Sequence, residues 1–139
     1  MRKQQKKSNG AMNFLEQIVS RIVEKILPKN NFVVFAPGEL TKIWEDIEKM
    51  EPKMAIIEAD KLVDVILKKA GITGNTMAER LRRVQKLVQR PIYSDMWEAH
   101  KLRNHIVHEV GDRTSTDNYM EYLWRIKKFM VSLGAFKND

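Results

Sequence analysis

The stretch Ser94-Asp95-Met96-Trp97-Glu98-Ala99-His100-Lys101-Leu102-Arg103-Asn104-His105-Ile106-Val107-His108-Glu109-Val110-Gly111 carries a helix signal at each end. Asp95 followed by Glu98 has the spacing of a capping box, and Gly111 stands where a helix stops. With Leu102 at the origin and about 100° per residue, Ala99, Ile106 and Val110 gather between about 40° and 80°. That arc is the inward face. Glu98, Lys101, His105 and Glu109 share an ordinary solvated arc. The remaining sector holds Trp97, His100, Arg103, Asn104, Val107 and His108. A surface helix usually fills such a sector with Lys and Glu, so an indole, two imidazoles and an amide there predict a second contact surface.

Helical spacing extends outward in both directions. From Asn13 to Leu27 the apolar residues fall in pairs, Phe14/Leu15, Ile18/Val19, Ile22/Val23 and Ile26/Leu27, and Pro28 ends the stripe. Phe32-Val33-Val34-Phe35 reads as a strand or a packed linker, and the lack of a second strand candidate favours the linker. Leu40, Ile43, Trp44, Ile47 and Met50 share the face of a second helix. Pro52 either breaks it or opens the next helix, which carries Met54, Ile57, Leu62, Val65 and Ile66 and ends at Gly71. Thr76 and Glu79 form a capping box for a helix running to Arg90, where Pro91 is read as the stop. A last helix from Thr116-Asp117 carries Tyr119, Leu123, Ile126, Met130 and Leu133 and ends at Gly134. The expected fold is all-α, an up-and-down bundle of five to six helices. The expected divisions are a disordered basic tail (1–11), an amphipathic helix with its linker (12–38) and the bundle (39–139).

Composition supports that reading and removes several functions. The 139 residues suit one domain, and 43% hydrophobic with 31% charged residues is a globular profile. Cysteine is absent, which excludes a disulfide framework, a Cys-ligated zinc site and a thiol nucleophile. The net charge is +7, but Arg2, Lys3, Lys6 and Lys7 supply four of those charges, so the rest of the chain is only mildly basic. A polyanionic partner is permitted, not required. No run reaches the ~18 apolar residues of a membrane span, and the start lacks a signal-peptide pattern. A cytoplasmic protein is expected.

All three histidines lie within residues 100–108. His105 and His108 stand three apart, but His100 points elsewhere and there is no HExxH, so no metal site and no cofactor are expected. Arg103-Asn104 followed by His108 leaves four residues between the arginine and the histidine. That pattern resembles the signature helix of the HEPN superfamily, whose motif is an arginine, usually followed by a polar residue, with four to six residues before a histidine. The stretch Ile57-Glu58-Ala59-Asp60-Lys61-Leu62 is similar to an earlier helix of its small bacterial members. The resemblance covers roughly residues 40–134.

The resemblance implies a bundle that dimerises with two motif helices face to face. Trp97, His100, Asn104 and Val107 would then be interface residues. It also implies a metal-independent endoribonuclease of toxin or defence type, with Arg103, Asn104 and His108 catalytic and His100 secondary. A cognate antitoxin is a partner such a toxin would have; the alternative is a non-catalytic module that binds a nucleotide or a partner protein, such as a nucleotidyltransferase. The chemistry suits the side chains, because histidine transfers protons near neutral pH and a guanidinium holds phosphate bidentately. Arg80, Arg82, Arg83, Lys86 and Arg90 are read as an RNA-binding track or a solvated helix face.

Overall fold

The computed structural model describes residues 13–19, 21–22, 31–108 and 118–139. The chain divides into two compact units, Met1–Asn30 and Asn31–Asp139. In the first, residues 13–19 and 21–22 are helical (α1), and Phe14, Leu15, Ile18, Val19 and Ile22 are all exposed. The basic tail and the stop at Pro28 lie outside the described residues.

The second unit contains α2 (Glu39–Glu48), α3 (Pro52–Lys69), α4 (Met77–Arg83), a 3-10 turn at Gln85–Leu87, α5 (Arg90–His108) and α6 (Tyr119–Leu133). Among the described residues there is no strand, and the fold is an all-α bundle. Residues 31–38, which the sequence groups with the N-terminal helix, belong to this unit. Phe32 is buried in its core, and Val34 and Phe35 pack against it, with Lys69 Nζ lying 4.9 Å above the Phe35 ring.

Helix α3 is the central element and packs against α2, α4, α5 and α6. Its buried set includes Ala55, Ile56, Ala59, Leu62, Val63, Ile66 and Leu67, rotated from the stripe the spacing suggested: of that stripe Leu62 and Ile66 are buried, and Ile57 and Val65 are half-buried. Met54 is half exposed. The small side chains of Ala55 and Ala59 are buried where neighbouring helices pack, a signal that a search for large apolar residues passes over. From α6, Tyr119, Leu123, Ile126, Phe129, Met130 and Leu133 complete the core.

The local signals explain the ends. Pro52 takes the first turn of α3, where its missing N–H costs nothing, and the Glu51 carboxylate accepts from Met54 N–H at 3.2 Å. Thr76 Oγ1 accepts from Glu79 N–H at 3.2 Å, while Glu79 reaches back to Asn75 N–H at 2.7 Å, one residue earlier than the usual box. Gly134 closes α6 at φ 86°, and Ala135 N–H bonds back to Met130 O. Helix α2 begins differently. Gly38 offers no side-chain cap, and the N–H of Thr41 donates instead to Asp139 Oδ2 at 2.8 Å, across 98 residues.

Pro91 corrects one reading. The helix expected to run to Arg90 ends at Arg83, and Pro91 sits in the first turn of α5 rather than stopping the helix before it. The same ring that blocks a helix interior fits its first turn, and Val88 in extended conformation supplies the break. Helix α5 therefore starts several residues before Asp95. The expected ends at Val110 and Gly111, and the start at Thr116-Asp117, lie outside the described residues.

Candidate active site on α5

Helix α5 turns Met96, Ala99 and His100 inward, with Leu102 and Ile106 half-buried against the core. His100 belonged to the polar sector by angle, yet it is 8% exposed. Its partner is Asp60 of α3. Asp60 stands in line with Ile56, Val63 and Leu67 on the face α3 buries, and its side chain is only 3% exposed. The His100 Nδ1 lies 3.0 Å from Asp60 Oδ1 and 3.2 Å from Oδ2. An ionised carboxylate can only accept, so the pairing assigns the hydrogen to Nδ1. A polar pair buried this deeply has to be satisfied internally, which explains why an imidazole and a carboxylate face each other between two helices.

Arg103 lies one turn beyond His100 on the same helix. Its Nε is 3.7 Å from Asp60 Oδ2, an ion-pair distance too long for a hydrogen bond, and that Nε has no hydrogen-bond partner among the described residues. Its Nη1 donates to Asn104 Oδ1 at 3.0 Å. The side chain is 33% exposed. Asp60 therefore faces both His100 and Arg103, and the guanidinium is held at the surface from two sides. His108 is exposed. It stands five residues from Arg103, about 140° around the helix and about 7.5 Å along it.

The rest of the polar sector is partly covered by the chain itself. Trp97 is half-buried, with Tyr93 edge-on at 6.3 Å, His100 at 5.8 Å and the Arg82 guanidinium 5.8 Å over its ring. Asn104 is half-buried, and Val107 is 44% exposed. Of the residues expected at a dimer interface, His100 contributes almost no surface.

The basic track divides in two. Arg82, Arg83, Lys86 and Arg90 are exposed. Arg80 is buried, and its hydrogen-bonding edges are taken: Nε donates to Asp64 Oδ1 at 2.7 Å, Nη2 to Asp64 Oδ2 at 3.1 Å, and Nη1 to the carbonyl of Gly74 at 2.6 Å. It ties α3 to the loop before α4, a structural position rather than an open phosphate contact. Burial pushes the Asp64 carboxyl upward, but hydrogen bonds and charge from Arg80 and Lys68 outweigh it and hold the group below its ordinary value.

Sequence reasoning did not single out Asp60 or Tyr93. The signal for Asp60 was available: an acid in the line Ile56, Asp60, Val63, Leu67 occupies an apolar helix stripe and requires a buried partner. Among the described residues no group of three or more His, Asp or Glu is placed to hold a metal ion. A groove of about 310 Å³ between α2 and α3, lined mainly by Ile43, Ile47, Met50, Leu62 and Val65, holds neither imidazole nor guanidinium and lies apart from this cluster. No described helix is long and apolar enough to cross a membrane. Comparison with protein families, with curated proteins and with solved structures found no match to this chain.

Proposed function

We propose that the chain is a metal-independent endoribonuclease of the HEPN kind, of toxin or defence type, which acts as a homodimer. The observation that carries this reading is the two-sided hold on Arg103. A guanidinium facing Asp60 through Nε and bonded to Asn104 through Nη1, yet one-third exposed, is pre-oriented to receive a phosphate.

In this reading Arg103 holds the scissile phosphate and stabilises the charge that builds on its oxygens. The 2′-hydroxyl loses its proton to a base and bonds to phosphorus. The bond to the 5′-oxygen breaks, and that oxygen takes a proton from an acid. The products are a 2′,3′-cyclic phosphate and a 5′-hydroxyl. His108 is the exposed imidazole available for proton transfer. His100, bonded to Asp60 in the interior, is a positioning residue. Two His108 side chains from two copies would supply both proton steps, and exposed Val107 on the same turn is the apolar contact that would bring them together.

One observation favours a second reading, a non-catalytic binding module for a nucleotide or a protein such as a nucleotidyltransferase. Within one chain His108 stands about 140° from Arg103, so the two do not converge unaided. The deciding experiment incubates the protein with total RNA in EDTA beside His108→Ala and Arg103→Lys. Cleavage to cyclic-phosphate ends that drops about 10²–10⁴-fold in His108→Ala supports the nuclease. Full cleavage by His108→Ala, or strict dependence on added Mg²⁺, rejects the mechanism.

A further inference from the structure

Two apolar surfaces of the second unit lie outside α5 and have no part in the proton chemistry. The first is the outer face of α6. Met120, Trp124 and Val131 are exposed there, within about 40° of one another and over about 16 Å of helix. Trp124 is 58% exposed, the reverse of what so large an apolar ring usually does. Lys127 and Lys128 follow it by one turn, and Lys128 Nζ lies 4.8 Å from the centre of its ring. The second surface is the groove of about 310 Å³ between α2 and α3. Ile43, Ile47, Leu62 and Val65 make it aliphatic, Lys61 stands at its edge, and each wall carries an acid, Asp46 on α2 and Glu58 on α3. Among the described residues Asp46, Glu58, Lys127 and Lys128 form no ion pair.

The two surfaces complement each other. The α3 wall from Glu58 to Val65 runs about 10 Å, long enough for Met120 and Trp124, which stand about 6 Å apart along α6. With the indole in such a groove, the two lysines one turn on meet acids in place of water. Neither surface suits its own counterpart. An antiparallel pairing of two α6 stripes, centred between Met120 and Val131, brings all four lysines within about 4 Å of the two-fold axis along the helix. Like charges placed so oppose docking. Groove against groove sets acid against acid and leaves Trp124 uncovered.

We infer that the outer face of α6 docks into the α2–α3 groove of a second copy of this chain, with Trp124 filling the groove and Lys127 and Lys128 pairing with Asp46 and Glu58. The contact is head-to-tail. Each copy offers its α6 face to one neighbour and its groove to another, so the assembly grows with concentration unless the rotation closes a ring. The docking residues include none from α5, and the inference stands apart from the nuclease reading. One indole and two aliphatic side chains make a small apolar centre, so the contact belongs with weak ones, with a Kd on the order of 10 µM to 1 mM.

The test is sedimentation equilibrium of the full chain carrying Val107→Glu, which removes pairing through the end of α5, at concentrations up to about 1 mM. The average mass should rise with concentration past that of a dimer, and should rise less at about 0.5 M NaCl. Trp124→Glu should weaken association about 30-fold or more. Asp46→Lys with Met50→Lys, both at exposed positions, should do the same from the groove side. Circular dichroism melts show that each form is folded. The decisive step mixes these two broken forms. Each alone should stay monomeric, and together they should form a heterodimer, because one keeps the groove and the other keeps the α6 face. Adding Lys127→Glu and Lys128→Glu to the lysine-bearing groove form should restore association within one chain. A parent that stays monomeric, association unmoved by Trp124→Glu, or broken forms that do not combine overturns the inference. Loss with Trp124→Glu but not with the groove variant shows the α6 stripe pairing with itself, and overturns it as well.

Discussion

Replacing Asp60 by alanine tests the buried junction between α3 and α5 most directly. The carboxylate accepts from His100, a residue 8% exposed, at 3.0 Å, and it faces Arg103 Nε at 3.7 Å. Removing it strands an imidazole N–H in the interior, which costs about 1–3 kcal/mol. The arginine adds less, about 0–1 kcal/mol, because its side chain is one-third exposed and water screens the pair. The expected loss is about 1–4 kcal/mol. At roughly 4–8 °C per kcal/mol for a unit of this size, the melting temperature should fall by on the order of 4–30 °C. Urea unfolding followed by circular dichroism gives the free energies. The decisive comparison is a cycle with His100→Ala. Once the imidazole is gone no imidazole N–H is left stranded and only the weaker pairing with Arg103 is lost, so the second substitution should cost about 1–3 kcal/mol less than it does alone. Asp60→Asn keeps an acceptor and should be milder than Asp60→Ala. Losses that add within about 0.5 kcal/mol would refute the junction as the reason these two residues face each other.

Other outcomes follow from neighbouring sites. Asp64 is held below its ordinary carboxylate value, so its pairing with Arg80 and Lys68 contributes stability that is fully present above the unfolded value, near pH 4, and is lost as pH falls through the folded one. The gap in urea-unfolding free energy between the parent and Asp64→Asn should therefore be full at pH 7 and shrink at pH 3; a gap constant across that range rejects the assignment. Gly134→Ala should destabilise the protein by about 1–2 kcal/mol by thermal melt, because its φ of 86° is a left-handed conformation that a Cβ disfavours. In cleavage assays Arg103→Lys should fail although it keeps the charge, since the fork that meets Asp60 and Asn104 is lost. If copies pair through the end of α5, Val107→Glu should shift sedimentation equilibrium to the monomer, and an unchanged profile locates any pairing elsewhere.

Much of the fold was legible because its signals are local. The Thr76–Glu79 box, Gly71 and Gly134 each act within one turn, and the stripe on α6 is fully buried as its spacing predicted. Pro91 was ambiguous in principle, since its ring is compatible with the residue after a helix and with the first turn of one. The charged partners were less legible. Arg80 looked like one more cation in a basic run, and the carboxylate that claims it is 16 residues earlier on another helix. The Asp60–His100 pair spans 40 residues. Periodicity states that a polar side chain lies on an inward face, but the identity of its partner depends on which helices pack together. Sequence placed His100 and Arg103 on one helix; the carboxylate that faces them both was supplied by tertiary structure.

The bond from Thr41 N–H to Asp139 ties the first turn of α2 to a side chain 98 residues away, beyond α6. Replacing Asp139 by alanine would leave that backbone N–H of α2 without its side-chain acceptor, so the start of one helix would loosen through a change made on the segment that follows another. Capping at α2 is thus a tertiary property of the bundle, supplied by a residue far away in sequence, whereas α4 carries its cap in its own first turn.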